Sequence, residues 1–179
     1  AQEDKVYQSS NNGLNWVSFP LINMDRFFYN KYTNQVYAIN FNKLYVSNDF
    51  GITWGLLFED TFGFEKEKEL EVSSNGFIYI GAQAYFWKLD TNGNLILRTE
   101  FTSGASSIVD IALEPNGTLY ASKNLLSYYS LNNGDTWSKI PPTGSVQNNF
   151  YTISAISSGS VFGHKLTGSL YQSDNLSNW

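Results

Sequence analysis

The chain has 179 residues, 42% of them hydrophobic and 15% charged, enough for a substantial core in one domain over 1–179. With 11 Lys plus Arg against 16 Asp plus Glu, a net charge of -5 and a pI near 4.8, it lacks the basic footprint of a nucleic-acid binder. The absence of cysteine excludes disulfides, thiolate metal sites and a Cys nucleophile, and no run of about 18 apolar residues is present to span a membrane.

The polar start Ala1-Gln2-Glu3-Asp4-Lys5 has no apolar signal-peptide core. It reads either as a mature terminus left by signal cleavage or as a domain boundary. From there the chain alternates short runs rich in Tyr, Phe, Val, Ile and Thr with Asn/Gly/Asp turn signals, a pattern that suits strands and serves helices poorly.

An aromatic residue recurs at Tyr7, Tyr45, Trp87, Tyr128 and Tyr171, at spacings of 38, 42, 41 and 43 residues. A second series, Tyr37, Tyr79, Tyr120 and Phe162, precedes the last four of these by 8, 8, 8 and 9 residues. Two series in phase make an internal repeat of about 41 residues. Within each repeat the hairpins fall in order. Val36-Tyr37-Ala38-Ile39 follows a Thr33-Asn34 turn. Leu70-Glu71-Val72 and Phe77-Ile78-Tyr79-Ile80 flank Asn75-Gly76. Ser107 to Leu113 and Thr118 to Ser122 flank Pro115-Asn116-Gly117, and Ile153 to Ile156 and Val161 to Gly163 flank Gly159. A third strand carries the aromatic of the first series, a turn follows, and a fourth strand leaves it, as in Trp137-Ser138-Lys139-Ile140.

The third-to-fourth turn is most complete at Ser47-Asn48-Asp49-Phe50-Gly51-Ile52-Thr53-Trp54. The Asp49 carboxylate can accept bonds from backbone N–H groups, Gly51 permits positive φ, and Trp54 shields the turn. Ser9, Asn11, Gly13 and Trp16 repeat the pattern with Asn for Asp, as do Ser130, Asn132, Gly134, Thr136 and Trp137. Around Asp90 to Asn94 the Ser and Trp are gone, and Ser173 to Trp179 is one residue short and lacks the Gly. An Asn at two of these positions suits a turn and not a catalytic acid.

The Ser-x-Asp-x-Gly-x-Thr-Trp pattern at 47–54 resembles the Asp-box, or BNR repeat, of sialidase-like β-propellers. Its one full, two near and two eroded copies carry that resemblance over nearly the whole chain. It implies an all-β fold of four-stranded antiparallel blades of about 41 residues, with four to five blades in this chain and the motif turns on their outer part. Four first, four second, five third and four fourth strands are expected. Such a chain is either a compact five-bladed ring, a piece of a larger propeller, or one completed by self-association or by missing blades.

Chemistry is thinly supplied. A sialidase site needs three arginines to clamp the substrate carboxylate, and the chain has only Arg26 and Arg98, so a complete site of that kind is excluded. Asp110 and Glu69 fall at matching points of successive first strands, with Phe27 and Thr152 as their counterparts, and form the one carboxylate pair that a glycosidase mechanism could use. Solvated strand ends are the plainer reading. The run Glu65-Lys66-Glu67-Lys68-Glu69-Leu70-Glu71 reads as a solvated edge that discourages strand pairing. His164 is the single histidine, so no His metal cluster or Ser-His-Asp triad can form within the chain. No catalytic residue, metal or cofactor is assigned.

A binding role is the favoured expectation. Aromatic residues outside the periodic series, Phe28, Tyr29, Tyr32, Tyr85, Phe86 and Tyr151, are the candidate ligand contacts, because Tyr and Phe rings stack on sugars and anchor protein partners. The expected function is non-catalytic recognition of a glycan or protein by a bacterial module that is secreted, periplasmic or on the cell surface. The alternative is a fragment of an Asp-box glycoside hydrolase whose catalytic groups lie outside the chain.

Overall fold

A computed structural model describes residues 5–20, 24–61, 64, 69–101, 108, 110–123, 126–141, 150–156, 159–165 and 167–174. The chain forms two compact units, Ala1–Phe64 and Glu65–Trp179. The described residues contain strands and turns and no helix.

The first unit opens with an antiparallel hairpin of β1 (Lys5–Gln8) and β2 (Val17–Pro20). A four-stranded antiparallel blade follows in chain order: β3 (Arg26–Asn30), β4 (Gln35–Asn40), β5 (Lys43–Ser47) and β6 (Gly55–Glu59). The second unit repeats that blade twice. β7 (Glu69–Val72), β8 (Ile78–Ala82), β9 (Tyr85–Leu89) and β10 (Leu95–Glu100) form one sheet, and β11 (Asp110–Leu113), β12 (Leu119–Lys123), β13 (Leu126–Ser130) and β14 (Ser138–Lys139) the next. The three-stranded sheet of β15 (Thr152–Ala155), β16 (Val161–His164) and β17 (Leu170–Ser173) completes it. Among the described residues the strand inventory matches the sequence count, with β1, β5, β9, β13 and β17 as the five third strands.

Within the second unit the alternation of each strand sends one face of a blade onto the next. In the second unit Tyr79 and Phe86 on one blade pack with Ile111, Leu119, Ala121 and Tyr128 on the next. Ala112, Tyr120 and Phe150 pack in the same way against Ile153 and Val161. Five residues of the two aromatic series, Tyr37, Tyr79, Trp87, Tyr120 and Tyr128, are buried in the core; Tyr45, Phe162 and Tyr171 are half-buried, and Tyr7 is exposed.

The three best-formed motif turns share one hydrogen-bond pattern. Ser47 Oγ donates to Asp49 Oδ1 (2.7 Å), the Thr53 amide and hydroxyl donate to the two carboxylate oxygens (2.8 and 2.6 Å), and Trp54 Nε1 donates to the Gly51 carbonyl (3.1 Å). Around Asn11 the Asn15 amide takes the place of Thr53 N–H, at 2.8 Å, and Trp16 Nε1 reaches the Gly13 carbonyl at 3.0 Å. Around Asn132 the Thr136 amide donates to Oδ1 at 2.9 Å, and Trp137 Nε1 reaches the Gly134 carbonyl at 3.1 Å. The amide oxygen of Asn thus does what the carboxylate does, without the charge. Two consecutive residues are left-handed in each turn: Asn12 and Gly13, Phe50 and Gly51, Asn133 and Gly134.

The turn between β9 and β10 uses a different residue. Asp90 Oδ1 accepts from the amides of Asn92 and Asn94, each at 2.8 Å, and Oδ2 accepts from the Asn94 side chain at 2.8 Å. Of the last turn, Ser173 and Asp174 are described, with Ser160 Oγ donating to Asp174; Asn175 to Trp179 lie outside the described residues. Glu65 to Lys68 also lie outside them, while Glu69 and Glu71 are half-buried on β7.

Candidate recognition surface

The six candidate aromatics do not converge. Tyr29, near the end of β3, and Tyr32, in the β3–β4 turn, are 58% and 51% exposed. Phe28 is half-buried on the opposite face of β3 from Tyr29, paired with Tyr37. Tyr85, Phe86 and Tyr151 belong to the second unit. Tyr85 is half-buried, with its ring 5.8 Å from that of Trp87 and the Arg98 guanidinium 5.2 Å from its centroid. Phe86 is fully buried between Tyr79 and Trp137, at 5.9 and 4.9 Å, so it is a core residue and not a surface contact. Tyr151 is half-buried and spends its main chain on neighbours: its amide donates to His164 O at 2.7 Å and its carbonyl accepts from Ser122 Oγ at 2.8 Å.

The β3–β4 turn is held by a set of side-chain hydrogen bonds. Asn30 at the end of β3 is buried, and its Oδ1 accepts from the Tyr32 amide at 2.9 Å, which folds the chain back on itself. Asn34 takes a left-handed φ of 56° and accepts from the Tyr29 hydroxyl at 2.6 Å, fixing that ring across the turn. The Lys31 ammonium stands 5.2 Å over the Tyr32 ring. Gln35 Oε1 accepts from Thr33 Oγ1 (2.7 Å) and from Tyr37 OH (3.0 Å), and its Nε2 donates to Asn48 Oδ1 (2.8 Å). Two exposed rings are thus bordered by amides, a hydroxyl and one cation. That mixture offers an apolar face with hydrogen-bonding rims, which suits a sugar ring or an extended peptide.

The carboxylates take structural positions. Asp110 Oδ2 accepts from the Ile153 amide at 2.8 Å and so joins β11 to the following blade. The register pairs Arg26 with Ile39, Glu69 with Gly81, Asp110 with Ser122 and Thr152 with His164. Arg26, and not Phe27, is therefore the counterpart of Glu69 and Asp110. The shift of one residue follows from the longer β3–β4 turn and moves Phe27 to the opposite sheet face. Among the described residues no group of three or more His, Cys, Asp or Glu is placed to hold a metal ion.

Two polar residues stand out that the sequence pattern did not single out. Lys123 is buried, and its ammonium donates to the Phe101 carbonyl; burial lowers its pKa, with Glu100 pulling the other way. Lys88 is buried to its tip, 2.7 Å from Asp135 on the next blade. A lysine inside an otherwise apolar β-strand is the only sequence signal for either.

No protein-family model matches the chain, and no curated protein matches it by sequence. Solved structures do. The extracellular domain of the putative one-component system BT4673 from B. thetaiotaomicron matches with a TM-score of 0.68 and 19% identity, over 94% of this chain and 25% of that one. YCF48 bound to D1 peptide matches with a TM-score of 0.66 and 16% identity, over 89% of this chain and 54% of that one. AFV00434, an ancestral GH74 enzyme, matches with a TM-score of 0.65 and 18% identity, over 88% and 23%. The chain spans about half the length of YCF48 and about a quarter of the other two. At these identities the likeness shows the fold alone, and that fold is the β-propeller.

Proposed function

We propose that the chain is a non-catalytic recognition module of an Asp-box propeller, secreted or on a bacterial surface, that binds carbohydrate or protein through the β3–β4 turn. The observation that carries this reading is the pair Tyr29, near the end of β3, and Tyr32, in the turn, both more than half exposed, with the Tyr29 hydroxyl tied to Asn34. Ordering is the usual cost of presenting such side chains, and here the Asn30 and Asn34 bonds have met it before any ligand arrives. Likeness to a propeller solved with a bound peptide supports the protein branch.

A second reading, a piece of a glycoside hydrolase, draws on the likeness to the ancestral GH74 enzyme, of which the chain spans 23%. A glycan and peptide array run beside a hydrolase screen on the same preparation separates the two. Binding without turnover supports recognition. Hydrolysis of any glycoside by this chain, abolished by Asp110→Asn or Glu69→Gln, would replace it with the enzyme reading.

A further inference from the structure

The polar atoms around Tyr29 and Tyr32 are sorted by kind. Asn30 Oδ1 accepts from the Tyr32 amide at 2.9 Å, Asn34 Oδ1 from the Tyr29 hydroxyl at 2.6 Å, and Asn48 Oδ1 from Gln35 Nε2 at 2.8 Å. Gln35 Oε1 takes the hydroxyl protons of Thr33 and Tyr37. These side-chain amide oxygens are thus engaged within the blade, and so are the hydroxyl protons. What the exposed Asn34 and Asn48 still offer is an N–H donor, Nδ2 in each, with no acceptor among the described residues.

Lys31 adds a charge to those donors. It is exposed in the same turn, its ammonium stands 5.2 Å from the Tyr32 ring centroid, and among the described residues no carboxylate forms an ion pair with it. Lys43 and Lys88, by contrast, pair with Glu59 and Asp135 at 3.7 and 2.7 Å. Asp49, the residue after Asn48, has its oxygens engaged by Ser47 and Thr53. The turn therefore presents a local cation and amide donors beside two aromatic faces, on a chain whose net charge is -5.

A complementary ligand brings acceptor oxygens, one group of them ionised, and a flat apolar face. An acidic sugar and an acidic peptide both carry carboxylates, and the strand pairing favours the sugar. An extended peptide gains affinity by adding main-chain bonds to a free sheet edge, and β4 is paired on both sides, with β3 and β5. The turn offers rings and side-chain tips instead. Those are the contacts a pyranose uses: its C–H face on a tyrosine, its hydroxyl oxygens on amides, and a carboxylate on an ammonium.

We propose that the β3–β4 turn selects a hexuronate-containing oligosaccharide, with the uronate carboxylate paired to Lys31, pyranose faces stacked on Tyr29 and Tyr32, and Asn34 and Asn48 donating to hydroxyl oxygens. This rests on the reading of the turn as a recognition surface and names its ligand class.

Isothermal titration calorimetry of the full chain against a galacturonate and a glucuronate oligosaccharide, the methyl ester of each, and an oligoglutamate peptide tests it. At least one uronate is expected to bind, and its neutral ester to bind about tenfold or more weaker, the contribution of one charge-assisted hydrogen bond. Lys31→Gln should lose the same factor toward the acid and nothing toward the ester, with an unchanged melting temperature because the side chain is exposed. Rising salt should weaken binding of the acid and spare the ester. Equal affinity for acid and ester, a Lys31→Gln variant that binds the acid like the wild type, or no binding of either uronate would each overturn the inference. Oligoglutamate bound in place of both uronates would overturn it in favour of an acidic peptide. The recognition reading fails separately: a neutral ligand lost in Tyr29→Ala/Tyr32→Ala but kept in Lys31→Gln leaves that reading standing and removes this one.

Discussion

The Tyr120 hydroxyl donates to Glu114 Oε1 at 2.6 Å inside one hairpin, and both side chains are buried. Asn116 Nδ2 donates to the other carboxylate oxygen at 2.7 Å. One blade earlier Ser73 stands in the place of Glu114, and its Oγ donates to Asn75 Oδ1 at 2.5 Å. The equivalent Tyr79 hydroxyl is buried with no hydrogen-bond partner among the described residues. Tyr120→Phe removes a bond to a charged group and leaves Glu114 short of a donor, so it should cost about 1.5–3 kcal/mol. Tyr79→Phe removes a desolvated hydroxyl and should be neutral or stabilising by up to about 1 kcal/mol. Urea unfolding of the two variants measures both.

The same pair sets the alkaline limit. Burial first, and then the Glu114 hydrogen bond and charge, hold the Tyr120 phenol well above its ordinary pKa of 10.0. Burial also raises that of Tyr79. A group whose folded pKa is raised contributes stability that is whole below the unfolded value and is lost above it. Stability should therefore fall progressively from pH 10 upward, and less steeply in Tyr120→Phe.

Asp49 governs the acid side. Its carboxyl is lowered from 3.8 to about 2, chiefly by the Thr53 hydroxyl, then by the Thr53 amide and the Ser47 hydroxyl. Asp90 is lowered too, chiefly by the Asn94 side chain and then by its amide. A depressed folded pKa gives stability that is present above the unfolded value and lost as pH falls through the folded one. The loss should thus run from about pH 4 down to about pH 2. Asp49→Asn should flatten part of that slope while keeping the turn, as Asn11 and Asn132 do, and should leave ligand affinity unchanged. Melting temperatures of the variant and wild type across that range are the check.

The motif turns also carry backbone strain in one copy. Phe50 is left-handed, with φ 56°, where Asn12 and Asn133 stand in the other two. A bulky residue pays for that conformation and Asn pays less. Phe50→Asn should stabilise by about 0.5–1 kcal/mol. Gly134→Ala should cost more than Gly51→Ala, since both are left-handed but only Gly134 is pressed against a neighbouring blade's ring. Chemical denaturation of the three variants ranks them.

The blade architecture was legible because strand alternation and turn chemistry are local. Two aromatic series eight residues apart fix the second and third strands, since Tyr79 and Trp87 lie on adjacent strands whose register depends on one two-residue turn. Register across longer turns was not legible. The matching of Phe27 with Glu69 slipped by one residue because the turn from Asn30 to Gln35 is longer than its counterparts. Phe86 looked like a loop aromatic beside Tyr85, yet strand alternation sends it into the core and leaves Tyr85 half out. The role of Asp90 as the turn's acceptor was not legible, because it lies one residue off the repeat and builds its turn from its own Asn neighbours.

The most direct measurement for a recognition module built on the β3–β4 turn is array binding of the wild type against Tyr29→Ala/Tyr32→Ala. Two exposed rings that anchor a ligand should each contribute more than about 1 kcal/mol, so the double variant should lose about tenfold or more in affinity. Its melting temperature should stay close to that of the wild type, because neither ring is part of the core. A double variant that keeps every glycan and peptide ligand of the wild type at full affinity would contradict the account.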